Sequence, residues 1–182
     1  MIRIRTARVD DSAGLARVQV DSYRTTYAGI LPNDYLASFS YSEQEQDWRD
    51  WRSHHPQDIL LAAENDDGEI VAYALGRPGL TNIAPYDGEL VALHVRHPCQ
   101  RQGIGRRLVA TTARQLEQQG CSSLMLWVLD RNPSRLFYER LGGQLIGEQT
   151  IELGQAVTSV EVAYGWPDIK SLCGAFRKRR AP

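Results

Sequence analysis

The chain has 182 residues, with 21 Lys and Arg against 22 Asp and Glu, a formal net charge of -1, 42% hydrophobic residues and 24% charged residues. That length suits one well-buried domain, the composition excludes a disordered or fibrous chain, and the charge balance excludes a nucleic-acid surface covering the whole domain. Cys99, Cys121 and Cys173 have no CxxC spacing and no histidine cluster nearby, so neither a disulfide framework nor a metal site is expected. No stretch is apolar for long enough to span a bilayer, and a reducing, cytoplasmic location is the default expectation.

Ile2 to Thr6 alternates with period two and predicts an opening strand, after which Asp10, Asp11 and Ser12 are N-cap candidates for a helix bearing Ala16, Val20, Tyr23 and Tyr27 on one face. Gly29 and Pro32 end that helix, and Pro32 to Phe39 and Ser42 to His54 predict two shorter ones. Ile59 to Glu64 and Glu69 to Leu75 read as strands joined through Asn65-Asp66-Asp67-Gly68, a hairpin signal. After a loop from Gly76 to Pro85, Glu89 to Val95 is a third, apolar strand.

A helix with a broad apolar stripe follows Gly103 and ends at Gly120. Ser123 to Leu129 is the next strand; then Asn132 is the expected N-cap, Pro133 the first helical residue, and Gly142-Gly143 the stop. Strands from Gln144 to Leu153 and Thr158 to Tyr164 complete a mixed α/β sheet containing a strand-helix-strand crossover from Glu89 to Leu129.

The crossover holds Gln100-Arg101-Gln102-Gly103-Ile104-Gly105. A helix start leaves backbone N–H groups unpaired and partially positive, glycines let an anion approach them, and Arg101, Arg106 and Arg107 can add charge-assisted contacts. A Gly-x-Gly after a strand is also a plain tight turn, so the pattern alone leaves both readings open. Leu108 stands where a Rossmann fingerprint needs glycine, and Gly-Lys-Ser or Gly-Lys-Thr of a Walker loop is absent.

Gln100-x-x-Gly103-x-Gly105 after an apolar strand resembles the acetyl-CoA motif of the GNAT superfamily of N-acetyltransferases. Asn132-Pro133-Ser134-Arg135-Leu136-Phe137-Tyr138-Glu139-Arg140-Leu141-Gly142-Gly143 is similar to that superfamily's second cofactor-binding helix, and Tyr23 to Pro32 resembles the start of many bacterial members. The likeness runs from residue 1 to about Trp166, with residues 167–182 as a C-terminal extension ending in the basic run Arg177-Lys178-Arg179-Arg180, read as a solvated tail. Cys99 and Gly143 depart from the family pattern at positions where aromatic residues are frequent.

The resemblance implies a single α/β domain whose mixed, mostly antiparallel sheet is flanked by helices and splays around the cofactor. It implies acetyl-CoA as co-substrate, bound by Leu93, His94, Val95, Gln100, Arg101, Gln102, Gly103, Ile104, Gly105, Arg106, Asn132 and Phe137. It also implies acetyl transfer by direct attack of a primary amine of a small molecule or peptide. Tyr138, near pKa 10 against about 8.5 for a thiol, is the implied acid for the departing thiolate; Glu89 is the implied base, with His94 or a water as rivals. Their odd spacing predicts that Glu89 and His94 face opposite sides of the sheet. Tyr23, Tyr27, Tyr35 and Trp48 would wall the acceptor or simply pack, His54-His55 reads as surface, and Cys99 as a structural thiol. Expected partners are the amine and, as an option, a second copy of the chain, with no nucleic acid and no membrane. A non-catalytic acyl-CoA-binding or regulatory module is the alternative.

Overall fold

A computed structural model describes residues 1–79, 81–153 and 157–173; the basic run at residues 177–180 lies outside them. The strands are β1 (Arg3–Thr6), β2 (Ile59–Glu64), β3 (Ile70–Pro78), β4 (Gly88–Val95), β5 (Leu124–Leu129), β6 (Gln144–Leu153) and β7 (Val157–Trp166). The helices are α1 (Ser12–Thr26), α2 (Asn33–Ala37), α3 (Tyr41–His54), α4 (Ile104–Gln118), α5 (Arg135–Arg140) and α6 (Lys170–Cys173). They form a mixed α/β fold around one seven-stranded sheet in the order β1-β2-β3-β4-β5-β7-β6. No helix among the described residues is long and apolar enough to cross a membrane.

Period-two alternation decides which side of the sheet each residue serves. Along β2, Ile59, Leu61 and Ala63 join Leu108, Val109 and Leu116 of α4, whereas Leu60 and Ala62 join Leu15 and Val18 of α1 and Trp48 of α3. Both faces are therefore covered, by α4 and α6 on one side and by α1 and α3 on the other. The core continues past Trp166, because Ile169 and Leu172 are buried against it.

Every neighbouring strand pair is antiparallel except β4 and β5, which are parallel and share only the register pair Glu89↔Met125. They are joined at their starts by the Asp87 carboxylate, which accepts from Ser122 N and Ser123 N, each within 3.0 Å, and from both serine hydroxyls at 2.9 and 2.7 Å. Beyond this clamp the two strands part. Burial of Asp87 works against its charge, but the hydrogen bonds outweigh it and hold the pKa at about 2.

The second glycine of Gly142-Gly143 has a steric cause. A Cβ on Gly143 would lie 2.7 Å from Trp166 Cζ2 and 3.0 Å from the Tyr138 carbonyl. Trp166 thus fills the space that a side chain at position 143 would take, and its Nε1 donates to Leu141 O at 2.9 Å.

Asp87→Asn should lower stability by about 1 kcal/mol at neutral pH, allowing for solvent screening of a partly exposed group. Because the folded-state pKa is depressed, the parent's advantage is fully present above an unfolded value of about 3.9 and is lost as pH falls through about 2. Denaturant unfolding of both proteins across that window should show the two stabilities converging in acid.

Candidate active site

The gap between β4 and β5 opens into a cleft of about 1130 Å³. Its floor is β4, and α4 enters at one end. At that end Gly103 is the N-cap of α4 at φ 79°, and Arg101 holds φ 61°, a left-handed backbone that a non-glycine residue adopts at a cost of about 1 kcal/mol. Among the described residues, no acceptor takes the backbone amides from Arg101 to Arg106; the ladder of α4 begins with Arg107 N donating to Gly103 O at 3.1 Å. A continuous row of unpaired donors at a helix start is an anion cradle. Arg101, Arg106 and Arg140 line it.

Arg107 is not part of this cradle, because its guanidinium donates to Ile2 O at 3.0 Å. The Gln102 side chain is likewise turned away, donating to Pro98 O at 3.2 Å, so only its backbone belongs to the row. Gln100 donates to Val95 O at 3.0 Å and pins the loop to the end of β4.

Arg96 N donates to Val71 O on β3 at 3.0 Å. Strand alternation then turns the N–H and C=O groups of Leu93 and Val95 the other way, toward the gap left by β5, where Val95 O already accepts from Gln100 while Val95 N–H and both groups of Leu93 stay open among the described residues. Gly105 faces the same gap: an added Cβ would meet Phe137 Cζ at 3.5 Å, Val95 Cγ2 at 3.8 Å and Leu93 Cδ2 at 3.9 Å. The result is a slot with an open strand edge on one side, Phe137 on the other and unpaired amides at its end.

Asn132 does not cap α5 directly. The helix begins at Arg135 with Ser134 as N-cap, and the buried Asn132 forms the turn before it: Oδ1 accepts from Ser134 N at 2.8 Å, while Nδ2 donates to Tyr27 Oη at 3.4 Å. That turn aims Tyr138 into the cleft, 8% exposed, and none of the hydrogen bonds among the described residues involves its hydroxyl. Burial pushes this phenol well above its usual pKa, so it is protonated at neutral pH.

The expected opposition of Glu89 and His94 is wrong, and the cause is a β-bulge. In the β3–β4 ladder Leu75 pairs with Ala92 but Gly76 pairs with Leu90, leaving Val91 as the extra residue. The alternation therefore slips by one, and Glu89 shares the α1 and α3 face with His94. Leu90, Leu93 and Val95 pack on the α4 side, and Val91 and Ala92 on the other. Glu89 pairs with Arg77, whose guanidinium lies 5.4 Å over the ring of Trp51 on α3.

His94 lies between the rings of Tyr23 and Tyr73, with centroids 5.4 and 5.2 Å away. Desolvation lowers its pKa to about 4, so it is neutral at neutral pH. Glu89 is raised, first by burial, then by Asp58 and Glu161, with Arg77 opposing them. It is not among the residues lining the cleft, whose wall reaches the adjacent Leu90 and Val91.

The far end of the cleft lies under α1 and α3. Tyr23, Tyr27 and Trp48 line it while also packing, whereas Tyr35 packs edge-on against Phe39 outside the lining. His55 is not a plain surface residue: it is half-buried and stacked on Trp51 with ring centroids 4.0 Å apart. Cys99 is half-buried against the main core beside the loop.

Residues 25–143 match the Acetyltransferase (GNAT) family. The chain belongs to the GNAT acetyltransferase family. An uncharacterized N-acetyltransferase YuaI of Bacillus subtilis is 38% identical over 172 residues, covering 94% of this chain and 96% of that protein. A spermidine N(1)-acetyltransferase of Thermoplasma acidophilum is 25% identical over 134 residues, covering 72% and 80%. The crystal structure of PaiA N-acetyltransferase from Thermoplasma acidophilum with coenzyme A shares the fold at TM-score 0.71, 19% identity and coverages of 91% and 99%.

The co-substrate of a GNAT N-acetyltransferase is acetyl-CoA, and the slot fits it: a diphosphate suits the unpaired amides, and an amide-bearing arm suits an open strand edge. Sequence reasoning missed Glu161 and Trp127, which line this GNAT cleft from β7 and β5. The available signal for Glu161 was a carboxylate set between Val160 and Val162 in an apolar strand.

Because a Cβ at Gly105 meets only ordinary contacts, Gly105→Ala should fold with a melting temperature within about 2 °C of the parent. The same methyl narrows the slot, so CoA affinity should fall about 10-fold or more by calorimetry.

Proposed function

We propose that this N-acetyltransferase acetylates a primary amine of a small molecule or peptide by direct attack on acetyl-CoA, with Tyr138 as acid and Glu89, through water, as base. The observation that carries the reading is the juxtaposition, across one cleft, of the unpaired amides from Arg101 to Arg106 with a protonated, unpartnered Tyr138 hydroxyl. The relative named for spermidine supports a small-molecule amine as acceptor.

In this account the amides of the α4 start hold the pyrophosphate, with Arg101, Arg106 and Arg140 adding charge. Leu93 and Val95 bind the arm through their backbones, opposite Phe137, and Asn132 keeps the turn that positions Tyr138. The amine's lone pair forms the C–N bond and the C–S bond breaks with its electrons on sulfur. The nitrogen's surplus proton leaves through water to Glu89, and sulfur takes a proton from Tyr138. A backbone N–H at the bulged part of β4 meets the oxyanion. His94, neutral and packed between Tyr23 and Tyr73, shapes the wall.

The raised pKa suits Glu89 to its role, since a base is most useful when its pKa approaches the working pH. A base must be ionised to act, so activity falls as pH drops through that pKa, placing the acid limb above the ordinary carboxylate value of about 4.3.

Tyr138→Phe should lower kcat about 10²-fold with CoA affinity unchanged by calorimetry. Glu89→Gln should lower kcat and abolish the acid limb, read as CoA release against pH. Unaltered turnover in the first variant would remove Tyr138 from the mechanism, and an unaltered limb in the second would remove Glu89.

A further inference from the structure

Glu161 pairs with Leu129 of β5, two residues before the Ala163↔Trp127 pair, so its side chain projects on the face that carries Trp127 and Leu129. Tyr23 and Tyr27 pack with Leu129 from above, and both tyrosines, Trp127 and Glu161 line the cleft. The carboxylate is thus half-buried in a chamber walled by aromatic rings. Its one polar contact among the described residues is Gln149 Nε2, donating at 3.2 Å; no described cation forms an ion pair with it. Its negative charge adds to burial in raising Tyr23, Tyr27 and Glu89.

Half-buried and accepting only from Gln149 among the described residues, the Glu161 carboxylate keeps free acceptor positions facing the cleft. The chamber supplies what an ammonium or guanidinium group prefers: a carboxylate to meet it and aromatic faces around it. Ser22 Oγ, on a residue 2% exposed and without a hydrogen-bond partner among the described residues, lines the same cleft and offers a further polar contact. The cleft is also graded in charge. Arg101, Arg106 and Arg140 stand at the end suited to phosphate, whereas Glu161 and, on α3, Asp47 and Asp50 stand on the other walls.

Glu161 and Glu89 share one face of the sheet but lie on opposite banks of β5. Glu89 registers with Met125 at the clamped end and Glu161 with Leu129 at the open end. Four residues of strand separate those positions, about 13 Å along β5. One carboxylate therefore serves the reacting nitrogen and leaves the other for a different part of the molecule.

We propose that Glu161 anchors a second positive charge on the acceptor, so that the amine acetylated by this enzyme carries an additional cationic group at a distance from the reacting nitrogen. This rests on the acetyl-transfer reading above and adds to it the acceptor's charge and the residue that reads it. Glu161 is a binding residue here and takes no proton.

The test compares diaminobutane with aminobutanol, which keep the chain length and exchange an ammonium for a hydroxyl. CoA release from acetyl-CoA should favour diaminobutane by about 10- to 100-fold in kcat/KM, the range set by one hydrogen bond to a charged group. Glu161→Gln should reduce that ratio to about one by raising KM for the diamine, with KM for acetyl-CoA and the melting temperature unchanged, and Glu161→Asp should recover part of it. Equal use of both amines by the parent, or a ratio that survives Glu161→Gln, would overturn the anchor and leave acetyl transfer standing. Release from neither amine while a broader panel of small-molecule and peptide amines is acetylated would overturn the anchor alone, and release from none of that panel, with CoA still binding by calorimetry, would overturn the acetyl-transfer reading and the anchor together.

Discussion

Asp87 holds the start of β4 to the start of β5, and past that clamp the two strands separate. Four hydrogen bonds from the two serines offset the cost of placing a carboxylate at the junction of two apolar strands. The separation leaves an unpaired strand edge inside the domain, normally a liability in a folded protein. In the proposed function that edge serves as a binding surface. α4 enters beside it with its first amides free, α5 brings Tyr138 to it from the other side, and α1 and α3 roof the far end. The division of the cleft into a cationic end and an end lined by carboxylates and aromatic rings follows from which elements meet at the opening.

The start of α4 with its free amides was legible in the sequence because its features are local. The glycines at 103 and 105, the strand before them and the amphipathic α4 all depend on residues close in the chain, and helix-start chemistry needs no distant partner. The alternation of β2, β3 and β5 and the crossover from β4 through α4 to β5 made the architecture readable for the same reason.

The errors share a different cause. Glu89 and His94 were expected on opposite faces because five residues separate them, but the bulge at Val91 belongs to the pairing of β3 with β4 and has no signature in β4 alone. Arg107 looked like a phosphate ligand by position and is occupied by a carbonyl at the other end of the chain, Ile2 O. Asn132 has both features of an N-cap, yet its side chain forms the turn one step earlier and reaches Tyr27. Glu161 was passed over because only the register of β7 on β5 brings it beside Trp127 and the tyrosines of α1.

The central claim is that the parted strands and the start of α4 together form the donor site. Amide hydrogen exchange with and without CoA tests it most directly, since unpaired amides exchange freely until a ligand accepts from them. Strong slowing is expected at Arg101 to Arg106 and at Leu93 and Val95 when CoA is added, with little change in β1 and β2. Protection confined to other segments, or none at these residues under saturating CoA, would contradict it.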